Sequence, residues 1–155
     1  MTIMRDVSDR YSLQDSLGYQ ITLLSRINER LFEQRLAPLG LTRITWCVLL
    51  AVHQEKLVNP SEIAAYIGID RTATSRALRR LEADGLIARA GGAADRRTTE
   101  VTATLAGATR LAKATAAART NAERFADKLS RYERLRLMEL IDKLMAGEQR
   151  NVKGL

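Results

Sequence analysis

Residues 59–104 limit the possible folds more than any other part of the chain. They read NPSEIAAYIGIDRTATSRALRRLEADGLIARAGGAADRRTTEVTAT. Asn59, Pro60 and Glu62 open a short helix over 61–67. The spacing fits a capping box, with Pro60 at the first helical position, where its missing N–H costs nothing. Gly68 stops that helix and Asp70 caps the next, from Arg71 to about Asp84, which Gly85 ends. Two helices separated by about three residues must cross steeply. The second turns Thr74, Ala77, Leu78 and Leu81 toward Ile63, Ala64 and Ile67 of the first. Strands over 86–90 and 98–102 follow, joined by Gly-Gly and Asp-Arg-Arg turn material. The pattern is a helix-turn-helix with a β-hairpin wing.

The rest of the chain is helical in pattern. Two prolines, 46% hydrophobic and 5% aromatic residues among 155 fit a mainly α protein. Leu17, Ile21, Leu24 and Leu31 keep helical spacing over 13–36, and Pro38 and Gly40 end that stretch. Thr42 caps a second helix reaching about Glu55. Thr104 begins an Ala-rich helix to about Leu129. Ser130 caps a last one to about Glu148, with Leu135, Met138 and Leu144 on one face. The expected fold is mainly α (α+β), a winged helix-turn-helix with flanking dimerisation helices. Its parts are an N-terminal dimerisation helix over 1–40, the winged domain over 41–103 and C-terminal dimerisation helices over 104–155. Apolar stripes left outside a small winged domain need cover, and a second copy of the chain is the simplest.

Charge points to an anionic partner. Twenty-five basic residues against 18 acidic give a net charge of +7. The outward side of the fourth helix holds Arg71, Thr72, Ser75, Arg76, Arg79 and Arg80, where an ordinary solvated face would mix in Glu and Asp. Arg71, Thr72, Ser75 and Arg76 stand at the start of that helix, where a major-groove helix meets base edges. Arg79 and Arg80 suit phosphates, although pairing with Glu82 and Asp84 is the plainer use for them. In the hairpin tip, Asp95, Arg96 and Arg97 place an arginine, Arg97 before Arg96, at the minor groove, with Asp95 holding the turn.

Other chemistry finds little support. One histidine, His53, and one cysteine, Cys47, make a protein zinc site or a Ser-His-Asp set implausible. No Walker-type glycine loop is present, so neither an enzyme nor a cofactor is expected. No secretory signal opens the sequence, and no run of about 18 apolar residues would span a bilayer. The expected location is the cytoplasm.

Leu81-Glu-Ala-Asp-Gly-Leu-Ile, Asp95-Arg-Arg-Thr, the Val-Thr-x-Thr strand end and Gly107 resemble the MarR family of winged-helix regulators, over about residues 19–145. The resemblance implies a homodimer built on the first and last helices. Each subunit would bind half of a pseudopalindromic operator on double-stranded DNA. A small aromatic or anionic ligand would release a repressor from that DNA. The family's ligand site, between dimer helices and winged domain, implies Tyr19, Arg26 and Trp46 as pocket residues, with Tyr11 nearby; His53 either touches the ligand or ends its helix. Oxidant-sensing members carry a cysteine early in the first helix; Cys47 lies in the second and reads as a half-buried apolar residue. Two rival readings are a sequence-tolerant, chromatin-like DNA binder and a protein–protein adaptor that no longer binds DNA. The adaptor requires an acidic or apolar outward face.

Overall fold

The computed structural model describes residues 11–91 and 99–149. Along the chain run α1 (Leu17–Leu36), a 3-10 turn (Ala37–Leu39), α2 (Arg43–His53), α3 (Pro60–Ile67) and α4 (Arg71–Ala83). The antiparallel strands β1 (Ile87–Gly91) and β2 (Thr99–Ala103) follow, then α5 (Leu105–Ala126) and α6 (Arg131–Met145). The element order is the expected one, and it is that of a winged helix-turn-helix with long helices on either side.

Local chemistry sets most boundaries. The Ser16 hydroxyl accepts from the Tyr19 amide, so α1 starts at Leu17 and not near Leu13. Gly40, at φ 67°, takes the left-handed turn that leads into α2. Thr42 and Thr45 form a reciprocal capping box there. Glu33 of α1 adds a bond that spacing did not reveal, accepting from the Arg43 amide at 2.7 Å. Asp70 caps α4 through the Ala73 amide at 2.7 Å, and Ser130 and Glu133 cap α6 as a box. The box expected at Asn59 does not form, because the Asn59 side chain makes no capping bond. Pro60 removes one free donor, and the exposed Ser61 and Glu62 leave the first turn open to water, which satisfies the remaining donors without a cap.

The core gathers α2, α3, α4 and the ribbon, with the last turn of α1 and part of α5 packed onto them. Leu36, Leu49, Ile63, Leu78, Leu81, Leu86 and Val101 are almost completely buried. The inward face of α4 is Thr74, Ala77, Leu78 and Leu81, as the spacing requires. The β-ribbon runs one residue later than expected, pairing Ile87 with Ala103 and Arg89 with Val101. Its inner edge is also held by the Val101 amide, which donates to the Val58 carbonyl at 2.9 Å.

The first turn of α5 is fastened to the turn that follows α4. The Thr104 hydroxyl donates to the Gly85 carbonyl at 2.7 Å, and the Thr104 amide to the Leu86 carbonyl at 3.0 Å. Gly107 explains how the backbones approach so closely: a Cβ placed there would lie 2.0 Å from the Leu86 carbonyl oxygen.

The two ends of the chain are different. Only Phe32 and Leu36 of α1 are buried, and α6 buries nothing. Leu17, Ile21 and Leu24 on α1, and Leu135, Met138 and Leu144 on α6, remain 49–63% exposed. Asn121 of α5, itself buried, donates to the Asn28 side chain of α1 at 2.8 Å and ties the two long helices together. No single described helix is long and apolar enough to cross a membrane.

Candidate nucleic-acid interface

Because α4 buries its Thr74–Leu81 side, the opposite side must face outward. Arg71, Thr72, Ser75, Arg76, Arg79 and Arg80 are all exposed there. They differ in how they are held. Arg80 donates to Asp84 at 2.7 Å, an i,i+4 pair that stabilises the charged guanidinium. Arg79 is turned back toward the Ser75 carbonyl at 3.4 Å. Among the described residues, Arg71 and Arg76 enter no ion pair. The plainer use expected for Arg79 and Arg80 therefore holds for Arg80 and not for Arg79.

Glu82 does not pair with a neighbour on α4. It takes Arg89 of β1, whose Nε donates to it at 2.8 Å and whose Nη2 donates as well. The hydrogen bonds from Arg89 hold the Glu82 carboxyl below its usual range; desolvation opposes them, and the Arg89 charge adds to the lowering. This link sets the ribbon against the end of α4.

A groove of about 440 Å³ runs beside the arginine face. Arg71 and Ser75 line it from α4, Asn59 and Ser61 from the start of α3, and Arg89 and Thr99 from the ribbon. Sequence reasoning missed the last four. Arg89 left a usable signal: it is a lone arginine in a short strand, seven residues after a glutamate on the neighbouring helix. Asp95, Arg96 and Arg97 of the hairpin tip lie outside the described residues.

The expected ligand residues do not converge within one chain. Tyr19 and Arg26 share a groove of about 390 Å³ with Tyr11 at the start of α1. Trp46 lies on α2, edge-to-face with Phe32 at 5.0 Å between ring centres, and its Nε1 reaches the Thr115 hydroxyl at 3.5 Å. His53 closes α2 and lines a small hollow with Val58 and Val101 behind the ribbon. The separation has a simple cause. Only the last turns of α1 reach the core, so the half bearing Tyr19 and Arg26 stands away from α2. Cys47 is half-buried; burial pushes its thiol up, and Arg43 offsets this only in part. No group of three or more His, Cys, Asp or Glu side chains among the described residues could hold a metal ion.

Residues 39–98, which span the helix-turn-helix and the wing, match the model of the MarR family. This segment belongs to the MarR family. The likeness extends to solved structures over most of the chain. The transcriptional repressor CouR, bound to a 23-mer DNA duplex, shares 29% identity over 85% of this chain and 94% of its own, with a TM-score of 0.76. A Cys-to-Ser mutant of MarR from E. coli, complexed with operator DNA, shares 24% over 89% and 99%, with a TM-score of 0.78. BpsR from Bordetella bronchiseptica, whose DNA binding is regulated by 6-hydroxynicotinic acid, shares 21% over 90% and 99%, with a TM-score of 0.81. The last two likenesses are of fold. In MarR-family terms, α3 and α4 are the helix-turn-helix, β1 and β2 the wing, and α1, α5 and α6 the flanking helices.

Proposed function

We propose that this chain is a sequence-specific DNA-binding transcriptional regulator, a homodimeric repressor that a small ligand releases from its operator. The outward face of α4 carries the reading. Arg71 and Arg76 are cations at the start of a helix, beside Thr72 and Ser75 and without ion-pair partners among the described residues. Arginine forks match the O6 and N7 acceptors of guanine, and the hydroxyls reach either base type or a phosphate. Arg79 takes a phosphate, and Arg80, already tied to Asp84, contributes mainly through its field. Asp95, Arg96 and Arg97 complete the interface at the minor groove. The work is recognition and not catalysis, in keeping with a family of transcription regulators.

The division into 1–40, 41–103 and 104–155 follows from the same reading. The winged part binds DNA, and the exposed apolar faces of α1 and α6 pair with those of a second copy. Two recognition helices then enter successive major grooves about 34–36 Å apart. CouR bound to a DNA duplex, MarR with operator DNA and BpsR regulated by 6-hydroxynicotinic acid support the partners assigned.

Selection of bound sequences from a random DNA pool tests the proposal. The expected outcome is a palindromic consensus, preferred over unrelated DNA by about a thousand-fold or more. Enrichment without a consensus would favour the sequence-tolerant binder, and no enrichment the adaptor.

A further inference from the structure

We propose that Asn28 and Asn121 form a polar register key. The pair fixes where α1 seats on α5 and, through α1, the spacing at which two copies of the chain present their α4 helices to DNA. The first part stands on the single chain; the spacing part rests on the reading of the chain as a dimeric DNA-binding regulator.

The pair sits where the packing of the two helices ends. Asn121 is the last buried residue of α5, after Gly107, Leu111 and Ala114. Asn28 lies one turn before Phe32 and two before Leu36, the two buried residues of α1. On its other side, Leu24, Ile21 and Leu17 stay exposed. Apolar residues flank both asparagines along their helices, so leucine would fit the pattern at either position.

The asparagines carry a cost that leucines would not. Asn121 is 4% exposed. Its Nδ2 donates to the Asn28 Oδ1 at 2.8 Å, while its own Oδ1 is buried with no hydrogen-bond partner. Turning both amides over exchanges the roles and leaves a buried donor unpaired instead. A buried amide that is only half satisfied destabilises the fold relative to an apolar pair of similar shape. What the pair supplies in return is discrimination. Slide α1 by one turn and Asn121 meets Leu24 or Phe32, and its amide loses the one bond it has. With leucine at both positions, neighbouring registers become nearly equivalent. A single polar position in an apolar seam fixes register in this way, at a cost in stability.

Register matters because of what each helix carries beyond the pair. Thr104 and Gly107 lock the first turn of α5 to Gly85 and Leu86 at the end of α4. The exposed apolar face of α1 is the one assigned to the second copy. The Asn28–Asn121 bond therefore joins the seam between copies to the frame of the recognition helix. A slip of one turn moves that seam by about 5.4 Å, against a rise of about 3.4 Å per base pair. Such an offset misplaces a half-site by about one or two base pairs.

The test compares the full chain with its Asn28→Leu/Asn121→Leu variant. Sedimentation should find both dimeric. The DNA is the selected operator, with none, one or two base pairs inserted between its half-sites. The unaltered chain should prefer its own spacing by about tenfold or more, and the double variant should lose most of that preference. In the variant, α1 amides should give more than one nitrogen-15 signal each, where a symmetric dimer in one register gives one. Thermal melts check the pairing itself. Asn28→Leu alone strands the buried Asn121 amide and should melt about 2 °C or more below the double variant. Equal melting of the two would overturn the pairing. An unchanged spacing preference with single amide signals would overturn the key. A double variant that ran as a monomer would make the asparagines a clamp between copies and overturn the register role. Should the double variant unfold, Asn121→Leu alone removes the buried amide, leaves the exposed Asn28 to water and carries the same comparison. An unaltered chain that sedimented as a monomer would defeat the dimeric reading and the spacing claim with it, and the α1 amide signals would then decide the intrachain key.

Discussion

Helices α4 and α6 have 13 and 15 residues, each starts on a side-chain cap, and each mixes arginines with leucines. Their surroundings are opposite. α4 buries Thr74, Ala77, Leu78 and Leu81 against α2 and α3, whereas α6 buries no residue at all. An amphipathic pattern thus says that a face wants cover, but not which molecule supplies it. For α4 the cover is intramolecular, which leaves its arginine side facing outward. For α6 the cover is absent from the single chain, and its apolar side faces outward.

The largest expected effects break this comparison directly. Leu81→Ala removes a fully buried side chain and should lower unfolding stability by about 2–5 kcal/mol in denaturant titration, whatever the protein concentration. Leu135→Asp alters a side chain that is 58% exposed, so it should leave a folded subunit but shift sedimentation from dimer to monomer. A Leu135→Asp chain that stayed fully dimeric would remove α6 from the seam.

The arginine sides of the two helices should differ next. Arg76→Ala is expected to cost about 1–3 kcal/mol of operator affinity and to relax the preference at one base position. Arg134→Ala, at an exposed position on α6, should change neither. Between these lies Arg79→Ala, which should weaken all sequences alike and reduce the salt slope by about one. An unchanged operator titration for Arg76→Ala would move base reading off this face of α4.

What could be read from the sequence follows the range of each interaction. Thr42, Asp70 and Ser130 act on amides three residues away, so their caps were visible in the spacing. The alternation of α4 was equally plain, because the same helix supplies both of its faces. Asn59 had the right spacing and still forms no cap, since whether an exposed amide uses a side chain or water is not written in residue order. Bonds across elements were invisible: Glu33 to the Arg43 amide, Val101 to Val58, and Glu82 to Arg89 join residues whose proximity only the fold creates. The same limit governs the ligand residues. Tyr19, Arg26, Trp46 and His53 were grouped by resemblance, and the fold of one chain distributes them over three places.

The smallest effect concerns how each helix holds its charges. Glu139 of α6 pairs with Arg136 of the same helix, whereas Glu82 of α4 reaches Arg89 on another element. Only the second pair positions anything, since it sets the ribbon beside the groove that Arg71 lines. The direction of its pH dependence is fixed by the shift. Arg89 holds the Glu82 carboxyl below the usual range. A group with a depressed folded value contributes stability above its unfolded value, near pH 4, and loses it as pH falls through the folded one. Thermal melts of the unaltered chain should therefore run slightly above those of Glu82→Gln at neutral pH. The two should converge as pH drops below about 4. The gap is expected to narrow in high salt, because both side chains are partly exposed. Glu139→Gln should show a smaller gap at neutral pH, since its pair lies within one helix. A Glu82→Gln deficit that persisted unchanged at about pH 3 would mean that packing of the side chain, and not its charge on Arg89, holds the ribbon to α4.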